Sequence, residues 1–310
     1  MMNYDYSSPV AQPEYHAQFW DMARHNDTNM SHIAQGRVLP YGTYTLPTVS
    51  SGKLELALDK TSLFRTLATF IRAHSHGYRI FAKDSEDMAL FVPEGKEIPI
   101  YDGMDDFHVN PIDSHKATAF FKLDEDFVRD RAFDIEDYVI RRLAKNFGRA
   151  EEKACIEGNG VDEPTGILHD EKGAEIAVTA DTLTYDTLIE QYFSVKKEYR
   201  KNAVWLMNDV TALALRKLKD ADGNYLWNSN NDTILGKPVY ISEFMPDAQS
   251  GSKPVAFGDF SYYWFISRSP ISLRPLTEQF AVNDQVGYLG LEFVEGKLIR
   301  RDAVKVISMK

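Results

Sequence analysis

The sequence predicts an α+β fold, and three observations lead to that class. Apolar residues recur at helical spacing through residues 134–157, which predicts one long helix. Residues 255–307 read mostly as strands interrupted by glycine and proline. More than twenty residues near position 100 lack a helical pattern, and loops of that length in a folded domain usually carry function.

Length and charge limit the possible functions. The 310 residues suffice for a sizeable core, but the net charge of −11 argues against non-specific nucleic-acid binding, which needs a concentrated basic surface. A single cysteine, Cys155, excludes a disulfide framework and fits a reducing compartment. We find no signal-peptide pattern in the first thirty residues and no apolar run long enough to span a membrane.

The N-terminal segment predicts little regular structure. Residues 1–58 lack periodicity except at residues 14–24, where aromatic residues lie at helical spacing. We expect the rest of this segment to form an arm that becomes ordered on a partner surface. Residues 61–75 form a helix candidate, with Leu63, Leu67 and Phe70 on one side.

Two strand-like segments, residues 88–92 and 116–123, flank the long non-helical segment. Residues 84–106 hold eight acidic residues and one lysine, Lys96. The pattern leaves two interpretations open, a solvated acidic loop or a long hairpin that reaches a basic neighbouring surface.

The long helix has clear boundary signals. Asp134 is a suitable N-cap, and Phe133 is placed to contact Tyr138 in a hydrophobic staple. Gly158 stands where a left-handed residue would end the helix. The predicted apolar stripe comprises Ile135, Val139, Leu143, Phe147, Ala150 and Ala154.

After residue 168 helices and strands alternate. Residues 184–201 predict a helix, residues 203–208 a buried strand, and Asp209 the cap of a helix ending at Lys219. Residues 236–242 predict a turn followed by a strand.

No motif assembles a catalytic, cofactor or metal site. The glycines of the Gly158-Asn159-Gly160 turn follow a helix, whereas phosphate-binding glycine loops precede one. His74 and His76 lack a third ligand at a recognisable spacing. Cys155 lies beside an apolar stripe, as a packed cysteine does. We predict no cofactor and no enzymatic activity.

Several separated motifs then identify a family. They are IEGNGVDEPTGIL (156–168) after the long helix, EYHAQFWDMAR (14–24), LFVPEGKEIP (90–99), ILGKPVYISEFMP (234–246), VAFGDFSYYWFISR (255–268) and RRDAVKVI (300–307). Taken in their order along the chain, they resemble the major capsid proteins of tailed phages with the Hong Kong 97-type fold.

The resemblance implies a structural protein that self-assembles as hexamers and pentamers into an icosahedral head. The head would enclose phage double-stranded DNA without sequence-specific binding and without a membrane. The resemblance also implies a scaffolding protein or domain, a portal and decoration proteins as partners, and assembly in the host cytoplasm. Its implied divisions are an N-terminal arm (1–58), a peripheral domain with a spine helix (59–75 and 123–167), an E-loop hairpin (76–122), an axial domain (168–270) and a peripheral return (271–310).

Two alternatives stay open at this level. One is the shell of an encapsulin-type nanocompartment, and the other is a soluble α/β enzyme that depends on Cys155. Many relatives carry a scaffolding segment before the arm, whereas this sequence begins at Met1 next to the arm. Either the scaffold is a separate protein or the sequence is a truncated form.

The acidic loop suggests assembly contacts with an adjacent subunit. We expect loop residues to dock on basic residues of the long helix and of the C-terminal strands. The candidates are Glu94, Lys96, Glu97, Asp102, Arg141, Lys145, Arg149, Arg268 and Arg274.

The type member of the family joins an E-loop lysine to a neighbouring asparagine with the help of a glutamate. Here Lys96 is the one candidate donor, Gln285 stands at the acceptor position and Glu292 at the helper position. Asn283 would share a strand face with Gln285 as a substitute acceptor. Glutamine displaces the acceptor carbonyl, so we predict no cross-linking.

Overall fold

The computed structural model describes residues 8–24, 38–39, 43–72, 79–83, 107–111, 114–219, 222–227 and 232–310. Its helices are α1 (Pro13–Ala23), α2 (Thr48–Thr61), α3 (Phe64–Leu67), α4 (Glu125–Arg129), α5 (Ile135–Glu157), α6 (Tyr185–Ser194), α7 (Lys197–Arg200) and α8 (Asp209–Arg216). Its first strands are β1 (Val38–Leu39), β2 (Thr43–Thr45), β3 (Thr69–Arg72), β4 (Arg79–Lys83), β5 (Phe107–Pro111), β6 (His115–Asp124) and β7 (Glu175–Ala180). The remaining strands are β8 (Val204–Met207), β9 (Thr233–Ile234), β10 (Lys237–Ile241), β11 (Val255–Gly258), β12 (Tyr263–Leu276), β13 (Gln285–Leu298) and β14 (Val304–Met309).

Two six-stranded sheets organise the described part of the chain. The first sheet runs in the order β1-β2-β12-β13-β6, with β3 paired to β12. The second sheet runs in the order β7-β14-β11-β8-β10-β9. In both, strands distant in sequence are neighbours, so neither sheet forms from local hairpins alone.

The long helix α5 confirms its predicted start. The Asp134 carboxylate accepts a hydrogen bond of 3.1 Å from the Asp137 amide, and the Phe133 and Tyr138 rings lie 5.5 Å apart. These contacts satisfy an exposed amide of the first turn and fix the entry of the chain. The apolar stripe is buried except at Ala150, which is exposed, and its first four residues pack in the core of the first sheet.

The N-terminal helix α1 belongs to this same core. Phe19 is completely buried and Tyr15 nearly so, and the Tyr15 hydroxyl donates to the Thr45 carbonyl at 2.6 Å. The Trp20 indole donates to Ser50 at 3.1 Å. The helical segment predicted at residues 14–24 is therefore confirmed, and its aromatic face is buried within its own subunit. The expectation that the rest of residues 1–58 needs a partner to become ordered is wrong for α2, because Leu54 and Leu58 are buried in the same core.

The helix expected over residues 61–75 is wrong as well. The chain forms α2, which ends at Thr61, then the short helix α3 and the strand β3. Phe70 and Ile71 pair in parallel with Phe265 and Ile266 of β12, and the Phe70 and Phe265 rings lie 5.8 Å apart. Sheet pairing overrides a helical apolar pattern here because aromatic and β-branched residues suit a strand.

The second sheet confirms most predicted elements with adjusted ends. Every residue of β8 is buried, and β10 follows the predicted turn. The helix expected over 184–201 divides into α6 and α7, with Val195 in extended conformation between them. Asn208 caps α8 in place of Asp209, because its side chain accepts from the Thr211 amide at 2.7 Å.

Sheet membership crosses three expected divisions of the chain. Residues 115–122, expected in the E-loop, belong to β6 of the first sheet. The strand β12 runs through the expected boundary at 270/271. The C-terminal strand β14, expected in the peripheral return, pairs with β11 and β7 in the second sheet. Each of these strands belongs to the sheet that contains its hydrogen-bonding partners. Linear motifs do not specify those partners.

A separate antiparallel pair, β4 and β5, joins Arg79 with Pro111 and Lys83 with Phe107. These strands flank residues 84–106, as the hairpin interpretation expects. The acidic segment itself and the strand expected at 88–92 lie outside the described residues.

Candidate functional site

The turn after α5 connects the two sheets. Gly158 has extended angles, φ −55° and ψ 143°, so the predicted left-handed ending is wrong at that position. Gly160 has the positive φ of 67° instead. The Thr165 amide then donates to the Gly296 carbonyl of β13 at 2.8 Å, which ties the turn to the first sheet.

The returning chain caps the end of the helix. The amides of Ile167 and Leu168 donate to the carbonyls of Cys155 and Ile156 at 2.8 and 3.0 Å, and the Gly166 amide donates to the Gly158 carbonyl at 2.9 Å. The last carbonyls of a helix lack partners within it, so these bonds satisfy groups that burial would otherwise penalise.

Two glycines permit this close crossing. A Cβ atom on Gly158 would lie 2.0 Å from the Pro164 carbonyl oxygen, and one on Gly166 would lie 2.5 Å from the Ile156 carbonyl oxygen. Backbone atoms cannot move aside as side-chain ends can, so side chains are excluded here. The glycines of the turn allow the backbone segments to pack closely. This role agrees with the sequence, where the turn follows a helix and does not match a phosphate-binding loop.

Next to this junction lies a buried cluster of charges. Arg65 of α3 donates two hydrogen bonds to Glu151 of α5, at 2.7 and 2.5 Å, and its guanidinium lies 3.4 Å from Glu292 of β13. The Arg65 side chain is 6% exposed, and those of Glu151 and Glu292 are 2% and 1% exposed. The cluster therefore joins α3, α5 and the first sheet through charge-assisted bonds shielded from water.

Burial raises the pKa of the Glu292 carboxyl well above its usual value, and the charge of Glu151 adds to this, while Arg65 opposes it. Burial alone lowers the pKa of Arg65, but its hydrogen bond to Glu151 and the nearby carboxylates raise that pKa overall. The Glu292 Oε2 atom has no hydrogen-bond partner among the described residues, and Glu292 lines a cavity of about 180 Å³.

Two further buried acids lie close by. Glu152 accepts from the Ser242 hydroxyl at 2.5 Å, and Glu295 lies 3.3 Å from His115. Sequence patterns did not reveal this arrangement. The available signal is that Glu151 and Glu152 interrupt the buried face of a helix.

We expect Glu292→Gln to flatten the pH dependence of stability. The pKa of Glu292 is higher in the folded protein than in the unfolded chain, so the folded state binds more protons between the two values. The free energy of unfolding of the parent protein should fall as pH rises through that window, by about 1.4 kcal/mol per pH unit at most.

Urea unfolding of unassembled protein at pH 5 and pH 8 measures this difference. The exposed Glu278→Gln variant is the matched control. Its free energy of unfolding should change between pH 5 and pH 8 as much as that of the parent protein. Parallel slopes for the Glu292→Gln variant and the parent would show that Glu292 does not titrate in this range.

Two of the three predicted basic contacts on α5 already have partners within the chain. Arg141 forms an exposed pair with Asp137 at 2.8 Å. Arg149 pairs with Glu243 at 3.0 Å and lies over the Phe244 ring. Lys145 is exposed on the same helix. Exposed pairs contribute little, about 0.2–1 kcal/mol each, so they can exchange for other partners.

The remaining predicted contacts are separated. Arg274 is exposed on β12, and Arg268 lies where β12 departs from regular pairing and lines the cavity beside Glu292. Thus Arg268 lies beside the buried cluster. Four of the predicted contacts, Glu94, Lys96, Glu97 and Asp102, lie outside the described residues.

Among the residues expected at the cross-linking positions, the structure describes Asn283, Gln285 and Glu292. Asn283 lies in a 3-10 helix, and Asp284 after it has a φ of 52°, so Asn283 does not share a strand face with Gln285 as expected. Gln285 and Glu292 stand at opposite parts of β13, and odd spacing places them on opposite faces. The Gln285 side chain donates to Asp124 at 3.1 Å.

The sole cysteine is a core residue. Cys155 is completely buried, and burial raises the pKa of its thiol well above the usual value. A nucleophilic cysteine needs an accessible thiolate, so these surroundings oppose the chemistry of the enzyme alternative. Among the described residues no group of three or more possible metal ligands is found.

Comparison with known proteins places these features in a family. The sequence profile of the Phage capsid family matches residues 42–309, most of the chain. This chain belongs to the phage capsid family. It is a major capsid protein, a structural component of a virion capsid, and its family and fold indicate a structural role instead of an enzymatic one.

Solved capsids agree with the family. The chain is similar to the capsid protein of a native GTA particle, computed with C5 symmetry, at 27% identity and a TM-score of 0.66, covering 80% of this chain and 90% of that one. The capsid of the empty GTA particle matches at 27% identity over the same shares, with a TM-score of 0.65. A chain of Gordonia phage Cozz, at 17% identity and a TM-score of 0.57 over 81% of this chain and 87% of that one, shares the fold.

A comparison with curated proteins gives no match. The phage capsid protein therefore has the expected Hong Kong 97-type α+β fold, and its relatives form symmetric capsids. These matches give no support to the encapsulin alternative over the phage capsid. No helix within the described residues is long and apolar enough to cross a membrane.

Proposed function

We propose that this capsid protein assembles as hexamers and pentamers into an icosahedral head that encloses double-stranded DNA. The observation that carries the proposal is the similarity, over 80% of the chain, to capsid proteins of a particle with five-fold symmetry. Repeated head-to-tail contacts that close form rings, and contacts between rings form shells. The negative net charge suits a wall that does not hold packaged DNA tightly.

We further propose roles for the two sheets. The first sheet with α5 would be the peripheral domain, and the second sheet, including β14, the axial domain near each symmetry axis. The paired strands β4 and β5 would be the stem of the E-loop. The tight junction at Gly158 supports a division into two parts, because it fixes the path of the chain from α5 of the first part to the second sheet.

The acidic segment 84–106 would dock on an adjacent subunit. Its acids would replace the weak exposed partners of Arg141 and Arg149, with Lys145, Arg268 and Arg274 as further contacts. A scaffolding protein or domain, a portal and decoration proteins would complete the head in the host cytoplasm.

Expression with the phage scaffold and electron microscopy of the product test the proposal. We expect closed shells with five-fold and six-fold clusters, and an assembly yield that falls with added salt because exposed ion pairs are screened. A stable monomer under these conditions would contradict the capsid assignment.

Neutralising the loop tests its docking separately. The triple variant Glu94→Gln, Glu97→Gln, Asp102→Asn should lower the yield of shells, because it removes three charges from the proposed contact. The control removes three exposed acids elsewhere, by Glu14→Gln, Glu190→Gln and Glu278→Gln. Equal yields from both triple variants would exclude a specific role for the loop acids.

Mature shells are expected to contain no covalent links between subunits. Gln285 displaces the acceptor carbonyl by one methylene, and Asn283 lies in a 3-10 helix outside the strand of Gln285. Lys96 lies between Glu94 and Glu97, which favour its charged, unreactive form. Boiling in detergent under reducing conditions should give one band near 35.3 kDa. A ladder of larger species that disappears in Lys96→Ala would contradict this expectation.

A further inference from the structure

One concave surface of the second sheet is basic, against the composition of the whole chain. It has a volume of about 920 Å³ and lies between the end of α6, the helix α7 and the start of β10. Most of its lining residues are basic, and Glu198 is the acid among them. The basic residues are Lys196, Lys197, Arg200, Lys201 and Lys237. In a chain of net charge −11, such a concentration indicates a surface for an anionic partner.

The cations differ in how far the subunit itself neutralises them. Lys196 pairs with Asp302 at 3.0 Å, and the Lys237 ammonium donates to the Lys201 carbonyl at 2.9 Å. Lys197 and Lys201 are exposed, and neither forms an ion pair within the described part of the chain. These two lysines therefore keep their charge available to a partner.

Aromatic rings border the same surface. The Arg200 guanidinium lies 5.4 Å from the ring centre of Tyr192 and 5.2 Å from that of Phe193, and Phe193 is 65% exposed. Arginine and aromatic side chains are enriched where proteins contact one another. A large exposed ring beside the lysines therefore favours a protein partner.

A second concave surface of the same chain is acidic. It has a volume of about 690 Å³ and is formed by the end of α5 and the loop that follows Ile167. Glu157, Asp170 and Glu171 line it, together with His169. Asp170 pairs with Lys253 at 2.6 Å, whereas Glu157 and Glu171 are exposed and form no ion pair within the described residues.

The two surfaces lie on opposite faces of the second sheet. Trp205 and Met207 of β8 pack in the cluster that includes Leu188 of α6 and Tyr199 of α7. Leu206, which points to the other face, packs in the cluster that includes Ile156 of α5. The basic surface therefore lies on the side of α6 and α7, and the acidic surface on the side of α5.

We propose that the basic surface of one subunit binds the acidic surface of the next subunit around a capsomer ring. Opposite charges on opposite sides of one domain are what a head-to-tail contact requires, because each copy then offers one surface to each neighbour. The contact pairs Lys197 and Lys201 with Glu157 and Glu171 of the neighbouring copy. This inference rests on the proposed assembly into rings and names the surfaces that form it.

Packaged DNA would be the other anionic partner. It fits less well, because phosphate binding calls for an extended basic track, and the acids elsewhere on this chain repel a polyanion. The acidic surface on the opposite face has no role in that alternative. A second copy accounts for both surfaces.

Charge reversal and its compensation test the contact. The variant Lys197→Glu, Lys201→Glu should reduce the yield of shells about tenfold or more, because like charges then oppose each other at every contact of the ring. The variant Glu157→Lys, Glu171→Lys should do the same. Combining all four changes restores opposite charges and should recover most of the yield.

The control variant Lys60→Glu, Lys217→Glu makes the same change in net charge at exposed positions outside both surfaces, and it should assemble normally. Circular dichroism of each unassembled variant checks the fold. Two folded double variants that assemble like the parent, or a quadruple variant without recovery, would overturn the contact. If the lysine variant assembles normally but its shells bind linear DNA more weakly, the basic surface belongs to DNA and the inference is wrong. Failure of the parent protein itself to form shells would instead contradict the proposed function.

Discussion

Replacing Gly158 with alanine is expected to destabilise the folded subunit by more than about 3 kcal/mol. The backbone angles of Gly158 suit any residue, so the effect is steric. The added methyl group would lie 2.0 Å from the Pro164 oxygen and 2.4 Å from the Ala154 oxygen. Moving the returning chain away would break the bonds from Ile167 and Leu168 that cap α5.

The midpoint of urea unfolding of the unassembled protein measures this loss. Gly251→Ala is the matched control, because Gly251 has a positive φ of 79° but nothing within 4 Å of an added Cβ. The Gly251→Ala variant should lose only about 1–2 kcal/mol in its free energy of unfolding, from the backbone strain of a left-handed residue. Similar midpoints for the two variants would mean that the crossing at Gly158 relaxes easily.

Replacing Arg65 with methionine is expected to cost about 3–5 kcal/mol, because a buried carboxylate then loses its counter-charge. Methionine keeps much of the apolar stem but removes both hydrogen bonds to Glu151. The cost should be smaller at pH 5 than at pH 8, because the pKa of Glu292 is raised and this carboxyl is more fully protonated at pH 5, where it needs less compensation.

Two further variants separate charge from packing. Arg65→Met combined with Glu151→Gln should recover part of the lost stability, because the second change removes the unpaired charge. Arg141→Met is the control for arginine loss on the surface, since its side chain is 77% exposed, and it should change stability by less than about 1 kcal/mol. A deficit in the Arg65→Met variant that the second change does not reduce would assign the effect to lost packing.

Three features that depend on neighbouring residues were predicted correctly. The N-cap of α5 at Asp134, the Phe133–Tyr138 contact and the buried strand β8 arise from residues close together in the chain. Their energetics are local, so the sequence specifies them without reference to the rest of the fold. The family resemblance was also visible in the sequence, because its motifs lie at separated places in the correct order.

The sequence by itself determined the α+β class, the long helix α5 and membership in the capsid family, since these depend on local patterns and motif order. Only the tertiary structure decided that Phe70 lies in a strand, that α1 is buried and that Asn283 lies in a 3-10 helix. It also decided which acids meet Arg65, which lies 86 and 227 residues away from its two partners. Sheet pairing and charge burial depend on groups far apart in the chain. These interactions contribute to stability only when the two sheets and α5 are packed together.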